Sequence, residues 1–311
     1  MGMEGDIVEL GEADIADALA LSMAAHWNQN AADWATMLRL GRGWGLRLRG
    51  EGGREVLAAS TLALPYDGFA WISMVLVLPG QRGRGLAARL LRHALAWLAA
   101  RGLTAVLDAT PAGRPVYLKE GFVDTWGFVR YRREASAPRT TAPTAVAAAS
   151  AAAPGPGPAA SAPRSRPLTE ADWPAIAALD APAFGADRLP LLRTLAQRLP
   201  QAARVCDSDG GLRGCVFGRD GREAAQIGPL VAADDAVAQV LLADALAAVD
   251  GPVYADLCDH RGALLPALRG WGFAMQRPFT RMVHVAPERL ESARAPGDPA
   301  ACVLVAGPEH G

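Results

Sequence analysis

The residues with the clearest chemical potential are Arg82-Gly83-Arg84-Gly85-Leu86-Ala87, a loop that follows the apolar stretch Ile72, Met74, Val75, Leu76, Val77 and runs into a helix. Ala87, Leu90, Leu91, Ala94, Leu95 and Leu98 recur at i, i+3, i+4 spacing, and Gly102 is placed to cap the C-terminus. Glycine lets a ligand approach the backbone, a helix N-terminus offers free N–H groups and partial positive charge, and two arginines add full charges. That combination suits a pyrophosphate.

Two other readings compete. A Gly-rich turn can simply start a helix. Gly83-x-Gly85-x-x-Ala88 also matches a dinucleotide fingerprint, with Asp108 ending a strand about 20 residues further on, where a ribose-binding acid belongs. Against the dinucleotide fold, Leu78 to Arg82 separate the strand from the first glycine, and too little chain follows Asp108 for a second βαβ half. His93 shares a helix face with Arg89, Arg92 and Ala96, as a surface residue does. Cys206, Cys215, Cys258 and His260 lack the paired spacing of a zinc site, so no metal is expected.

The elements that must hold the loop alternate between strand and helix. The order is strand Ile7 to Leu10, helix Ile15 to Ala25, helix Ala31 to Leu40, then strands near Gly45 to Arg49, Glu55 to Leu64 and Trp71 to Val77. After the long helix come a strand at Ala105 to Asp108, a short helix around Pro115 to Glu120 and a strand near Phe128 to Arg132. This predicts an α/β fold of the α+β kind, a mixed sheet flanked by helices.

With 311 residues, 51% of them hydrophobic, the chain can bury two cores. A net charge of -1 gives no reason to expect nucleic acid as a partner, and no apolar run approaches the roughly 18 to 20 residues of a membrane span. No leader is read at Met1-Gly2-Met3-Glu4, and the unpaired cysteines make a reducing cytoplasm the expected compartment.

From 135 to 166 the composition collapses to Ala, Pro, Ser, Thr and Gly, which predicts a flexible linker. The segments on either side, 5–134 and 167–311, resemble each other. Leu10-Gly11-Glu12-Ala13-Asp14-Ile15 returns as Leu168-Thr169-Glu170-Ala171-Asp172-Trp173, and Gly121-Phe122 returns as Gly272-Phe273. Ile72 to Leu98 returns as Ile227 to Val231 followed by Ala236 to Ala248. Three matches in one order argue a duplicated unit. At the loop position the second unit has Ala233-Asp234-Asp235-Ala236-Val237-Ala238, whose carboxylates would repel a pyrophosphate. The run Cys302 to Ala306 reads as one further strand.

Arg82, Gly85 and Ala87 fit the pattern Q/R-x-x-G-x-G/A, and Tyr117 lies four residues before Gly121-Phe122. As an ordered pair these motifs resemble the GNAT N-acetyltransferase superfamily over roughly residues 5 to 134. The whole arrangement, with Leu107 to Gly113 in one half and Arg277 to Met282 in the other, resembles a tandem GNAT group whose second domain is degenerate.

The resemblance implies acetyl transfer from acetyl-CoA to an amine by direct attack in a ternary complex. It implies that the backbone of Val75, Leu76 and Val77 pairs with the pantetheine arm, that the amides of Arg82, Gly83, Arg84, Gly85, Leu86 and Ala87 hold the pyrophosphate, and that the oxyanion meets the Val77 N–H. Tyr117 would be the general acid to the sulfur. For the base, Asp67, Asp108, His26 or a water chain are open, with water-mediated removal favoured.

Asn28, Gln29, Asp33 and Trp34 fall where the first two helices line the acceptor site, and with Asp108 they form the expected substrate-binding set. Asn30 as a helix cap and Trp34 in the core are the structural alternative. The second unit is expected to wall the cleft, with Arg219-Asp220-Gly221-Arg222 and Asp256 as contacts, in a monomer that is its own pseudo-dimer. The expected acceptor is a small-molecule amine. A non-catalytic acyl-CoA-binding regulator or scaffold is the alternative of another class.

Overall fold

The computed structural model describes residues 5–49, 55–135, 163–208, 210–286 and 293–311. The first unit runs β1 (Ile7–Leu10), α1 (Ile15–Ala24), α2 (Ala31–Leu40), β2 (Arg42–Arg49), β3 (Glu55–Pro65), β4 (Phe69–Val77), α3 (Leu86–Ala99), β5 (Thr104–Ala109), α4 (Arg114–Lys119) and β6 (Phe122–Arg133). The second runs β7 (Arg164–Pro167), α5 (Trp173–Phe184), α6 (Leu189–Arg198), β8 (Arg204–Ser208), β9 (Gly211–Arg219), β10 (Ala225–Ala232), α7 (Asp235–Ala247), β11 (Val253–Cys258), α8 (Leu265–Gly270) and β12 (Ala274–His284), followed by β13 (Cys302–Leu304). Element for element, the second list repeats the first until β13. Most of the expected linker lies outside the described residues, but β7 takes up its far end, so the second unit starts earlier than the composition suggests.

Local chemistry explains the boundaries. Asp14 and Asp172 each close the same Glu-Ala-Asp turn by accepting from the backbone N–H three residues back, at Gly11 and Thr169. Asn30 caps α2 by accepting from Asp33 N–H at 3.1 Å, and Asp33 reciprocates at Asn30 N–H. At the other end of α3, Gly102 sits at φ +66 and Leu103 N–H reaches Leu98 C=O at 3.1 Å, the 6→1 bond that stops a helix at glycine. Leu90, Leu91, Ala94 and Leu98 are the buried stripe of α3. They pack on Leu46, Ile72 and Leu107, and each buried leucine contributes about 1.5–3 kcal/mol. Trp34, Met37 and Leu21 from α2 and α1 fill the opposite face.

The two units do not keep separate sheets. All strands join in one, ordered β1-β2-β3-β4-β5-β12-β6-β11-β13-β10-β9-β8-β7. β12 of the second unit lies antiparallel between β5 and β6, and β6 of the first lies antiparallel against β11. The units have therefore exchanged their last long strands. Two bidentate ion pairs of matching design fix the exchange: Arg130 on β6 grips Asp256 on β11 at 2.7 Å, and Arg281 on β12 grips Asp108 on β5 at 2.9 and 3.0 Å. Arg130 and Asp256 are register partners, as are Arg281 and Asp108. All four residues are buried or nearly so, and the Arg281 guanidinium is held between Trp71 and Trp126, 4.4 and 4.1 Å from their rings.

Candidate active site

β4 and β5 are parallel partners only over Phe69–Trp71 and Thr104–Val106; beyond that they part, leaving a notch. The divergence coincides with a register shift between β3 and β4 where Met74 adopts φ +51, a conformation rare for a non-glycine residue. Ser60 Oγ holds this bulge by donating to Met74 C=O at 2.7 Å. Leu78 N–H bonds Ala58 C=O, so by the alternation of an antiparallel ladder Leu76 bonds β3 while the N–H and C=O groups of Val77 and Val75 face away from it, toward the notch. Leu76 thus binds β3 through its backbone and the core through its side chain, and leaves the expected pantetheine-binding role to its two neighbours.

The loop Arg82 to Ala87 closes the wide end of the notch. Gly83 and Gly85 both sit at φ +76, and a Cβ built on either would meet nothing within 4 Å, so the space above them is open to a ligand. Among the described residues the N–H groups of Gly83, Arg84, Gly85, Leu86 and Ala87 have no backbone acceptor. Arg82 Nε reaches back to Val77 C=O at 3.3 Å. These residues fit a CoA pyrophosphate.

At its narrow end the notch opens into a cleft. Ile72, Ser73, Met74 and Val75 of β4 form one wall, and Leu107, Asp108, Thr110 and Tyr117 another. The α1–α2 loop contributes Trp27, Asn28 and Gln29. The exchanged strands and the residues after β13 bring Arg130, Arg277, Phe279, Pro308 and Glu309. Tyr117 packs against Phe122, its ring centroid 5.8 Å away, and its hydroxyl has no partner among the described residues. Burial pushes its pKa up, so the phenol stays protonated.

The cleft includes only part of the expected set. Gln29 and Tyr117 reach it with a polar group free. Asn28 reaches it, but its side chain pins the β9–β10 hairpin, donating to Ala224 C=O at 2.9 Å and accepting from Glu223 and Ala224 N–H. Asp108 lines the cleft but its carboxylate is bound to Arg281, which makes it a clamp for the exchanged strand rather than a free base or substrate ligand. Asp33 and Trp34 are fully buried elsewhere: Trp34 donates to Ser22 Oγ, and Asp33 binds Arg198 and Arg219 of the second unit. Asp67 is exposed at the tip of the β3–β4 hairpin, roughly 25 Å along the strand from Val75, too far to serve the cleft. His26 is exposed and outside the cleft lining. Of the expected second-unit contacts, the Arg219–Arg222 hairpin docks on the α1–α2 loop, Arg222 N–H to Asn28 C=O at 2.8 Å, and Asp256 acts by holding Arg130.

Arg277, Phe279 and Glu309 are absent from the expected site because they reach it from far along the chain, the first two on the exchanged β12 and Glu309 on the segment after β13.

The equivalent notch of the second unit is filled. β10 and β11 pair in parallel only over Ala225–Ile227 and Val253–Ala255, and β13 enters where they part, Leu304 pairing with both Leu230 and Leu257. Asp234 caps α7 by accepting from Val237 N–H at 2.9 Å and also pairs with Arg213. An internal carboxylate and an internal strand thus stand where phosphate and pantetheine would be. Cys258 and Cys302 lie in this region with their sulfurs 3.4 Å apart, and no group of three or more candidate metal ligands occurs among the described residues.

A model described as "Acetyltransferase (GNAT) family" matches residues 22–122, and one described as "Acetyltransferase (GNAT) domain" matches residues 176–294. No curated protein sequence matches the chain. A putative acetyltransferase from Pyrococcus horikoshii shares the fold with a TM-score of 0.73 at 18% identity, over 100% of this chain and 97% of the other. A GCN5-related N-acetyltransferase from Sphaerobacter thermophilus gives 0.59 at 14% identity, over 89% and 95%. A tandem GNAT protein from the clavulanic acid biosynthesis pathway gives 0.59 at 16%, over 90% and 98%. Among the described residues no helix is long and apolar enough to cross a membrane. With a GNAT model matched in each half and the repeat visible strand by strand, the chain belongs to the GNAT acetyltransferase family as a tandem protein.

Proposed function

We propose that the first unit transfers an acetyl group from acetyl-CoA to the amine of a small molecule, by direct attack in a ternary complex. The observation that carries this reading is one continuous path: free amides at Gly83 to Ala87, outward-facing backbone at Val77 and Val75, then a cleft with the Tyr117 phenol on its wall. When bound, acetyl-CoA supplies an acyl carbon open to attack and a thiolate that can leave. The loop amides, with Arg82 and Arg84, hold the pyrophosphate. Val75 lines the cleft and Val77 does not, so the Val75 N–H takes the oxyanion role that the family pattern alone gives to Val77.

As the C–N bond forms and the C–S bond breaks, Tyr117 Oη gives its proton to the sulfur. The proton lost by the amine leaves through water and restores the phenol. The exchanged strands already make a pseudo-dimer within one chain, so we take the working form to be a monomer. Four unpaired, buried thiols are in keeping with a reducing cytoplasm.

The non-catalytic acyl-CoA binder gains from one observation, the commitment of Asp108 to Arg281. A thiol-release assay across an amine panel separates the two, because the binder retains acetyl-CoA and liberates no CoA. Tyr117→Phe is expected to lower kcat about 100-fold or more with the KM for acetyl-CoA little changed. The pair Arg82→Glu and Gly85→Asp is expected to abolish coenzyme A retention; unaltered retention would overturn the reading.

A further inference from the structure

Most polar groups around the cleft are satisfied from within. Arg130 is bound to Asp256, Asp108 to Arg281, and Asn28 to the hairpin of the second unit. Besides the Tyr117 hydroxyl, three groups are not. Arg277 has no acidic partner among the described residues, and its buried Nε has no hydrogen-bond acceptor. Its guanidinium lies over Phe279, 5.0 Å from the ring centroid, and it stands opposite Arg130 in the β12–β6 register. The carboxylates that act on it, Asp256 and Glu309, are held by Arg130 and Arg219. The other two are oxygens: Gln29 Oε1 and Glu309 Oε2, on residues only 3% and 2% exposed, receive no hydrogen bond.

A partly buried cation without a counter-charge is costly, and so is a buried oxygen without a donor. A single ligand that brings an anion and N–H groups together would offset both costs. We propose that the acceptor carries an anionic group, a carboxylate or a phosphate monoester, close to its amine, with the anion on Arg277 and the amine hydrogens on Glu309 Oε2 and Gln29 Oε1. The inference rests on the reading of the cleft as the acceptor site. It narrows the amine to a small amphoteric molecule.

The test compares matched sets of short amines that differ in one group: amino carboxylates, the corresponding amino phosphate monoesters, and the same amines with neither. Thiol release at saturating acetyl-CoA is measured for the unmodified protein, Arg277→Gln and Arg277→Met, with thermal stabilisation by each compound recorded in parallel. One anionic set is expected to exceed the plain amines roughly 10- to 100-fold in kcat/KM, and its identity decides between carboxylate and phosphate. Both variants are expected to erase that preference through KM while still binding acetyl-CoA.

Plain amines that serve equally well, or a preference that survives both substitutions, would overturn the proposal. If acetyl-CoA binds and no amine turns over, the acetyltransferase reading fails. The stabilisation data then decide the acceptor chemistry separately: selective stabilisation by anionic amines, lost in both variants, upholds it, and its absence rejects it.

Discussion

His310 allows a sharp test of how the segment after β13 is held. It is completely buried next to Glu309, and neither ring nitrogen has a hydrogen-bond partner among the described residues. Burial chiefly, helped by the charges of Arg219, Arg198 and Arg188 and opposed by Asp33, lowers its pKa to about 3. In the unfolded chain a histidine titrates near 6.5. Between those values the unfolded state holds one more proton than the folded state, so stability is full above about pH 6.5 and falls as the pH falls.

The slope is about 1.4 kcal/mol per pH unit, and the total loss down to pH 3 is on the order of 4–5 kcal/mol. His310→Gln removes the titrating group. In urea unfolding at pH 7.5, 6.5, 5.5 and 5.0, the stability gap between the two proteins is expected to move by about 2 kcal/mol from pH 6.5 to 5.0, against the unmodified protein. Carboxylate titration is common to both and cancels in the difference. Parallel pH profiles would refute the account and mean that the imidazole is hydrated or charged in the folded protein.

Two further outcomes follow from the same reasoning. Asp33→Asn leaves Arg198 and Arg219 without their shared buried carboxylate and is expected to cost about 3–5 kcal/mol in urea unfolding; a loss under about 1 kcal/mol would show that the network is solvated. Gly85→Ala is expected to cost roughly 1–2 kcal/mol because of its left-handed backbone, and to weaken acetyl-CoA stabilisation in a thermal shift assay, with Gly85→Asn milder on folding; equal stability of all three would refute the strain argument.

Local order was readable in the sequence, and long-range pairing was not. Periodicity and caps place α1, α2 and α3 within a residue or so, because each depends on contacts within a few positions. The phosphate loop was legible for the same reason. The expectation of one mixed sheet per unit missed the exchange, since β6 and β12 have the same alternating pattern whichever neighbour they join. Asp108 and Asp33 look like catalytic or binding acids in isolation, and their partners Arg281, Arg198 and Arg219 lie more than 160 positions away. Asp67 was misplaced because the spacing of residues in a hairpin says nothing about which end faces the notch. β6 also begins at Phe122, earlier than the Phe128 expected, because the exchanged β12 extends the ladder to His284.

The strand exchange also sets the order in which this polypeptide can become a finished object. β5 lacks its native partner on the outer side until residue 283 has been synthesised, and β6 lacks both of its native neighbours until the second unit forms. A nascent front half therefore leaves the ribosome with unfilled edges and two unsatisfied charges, Asp108 and Arg130, for many seconds at roughly 5–20 residues per second. Cutting the gene between the units would yield fragments that complement each other only as a pair, each supplying the strand that the other lacks.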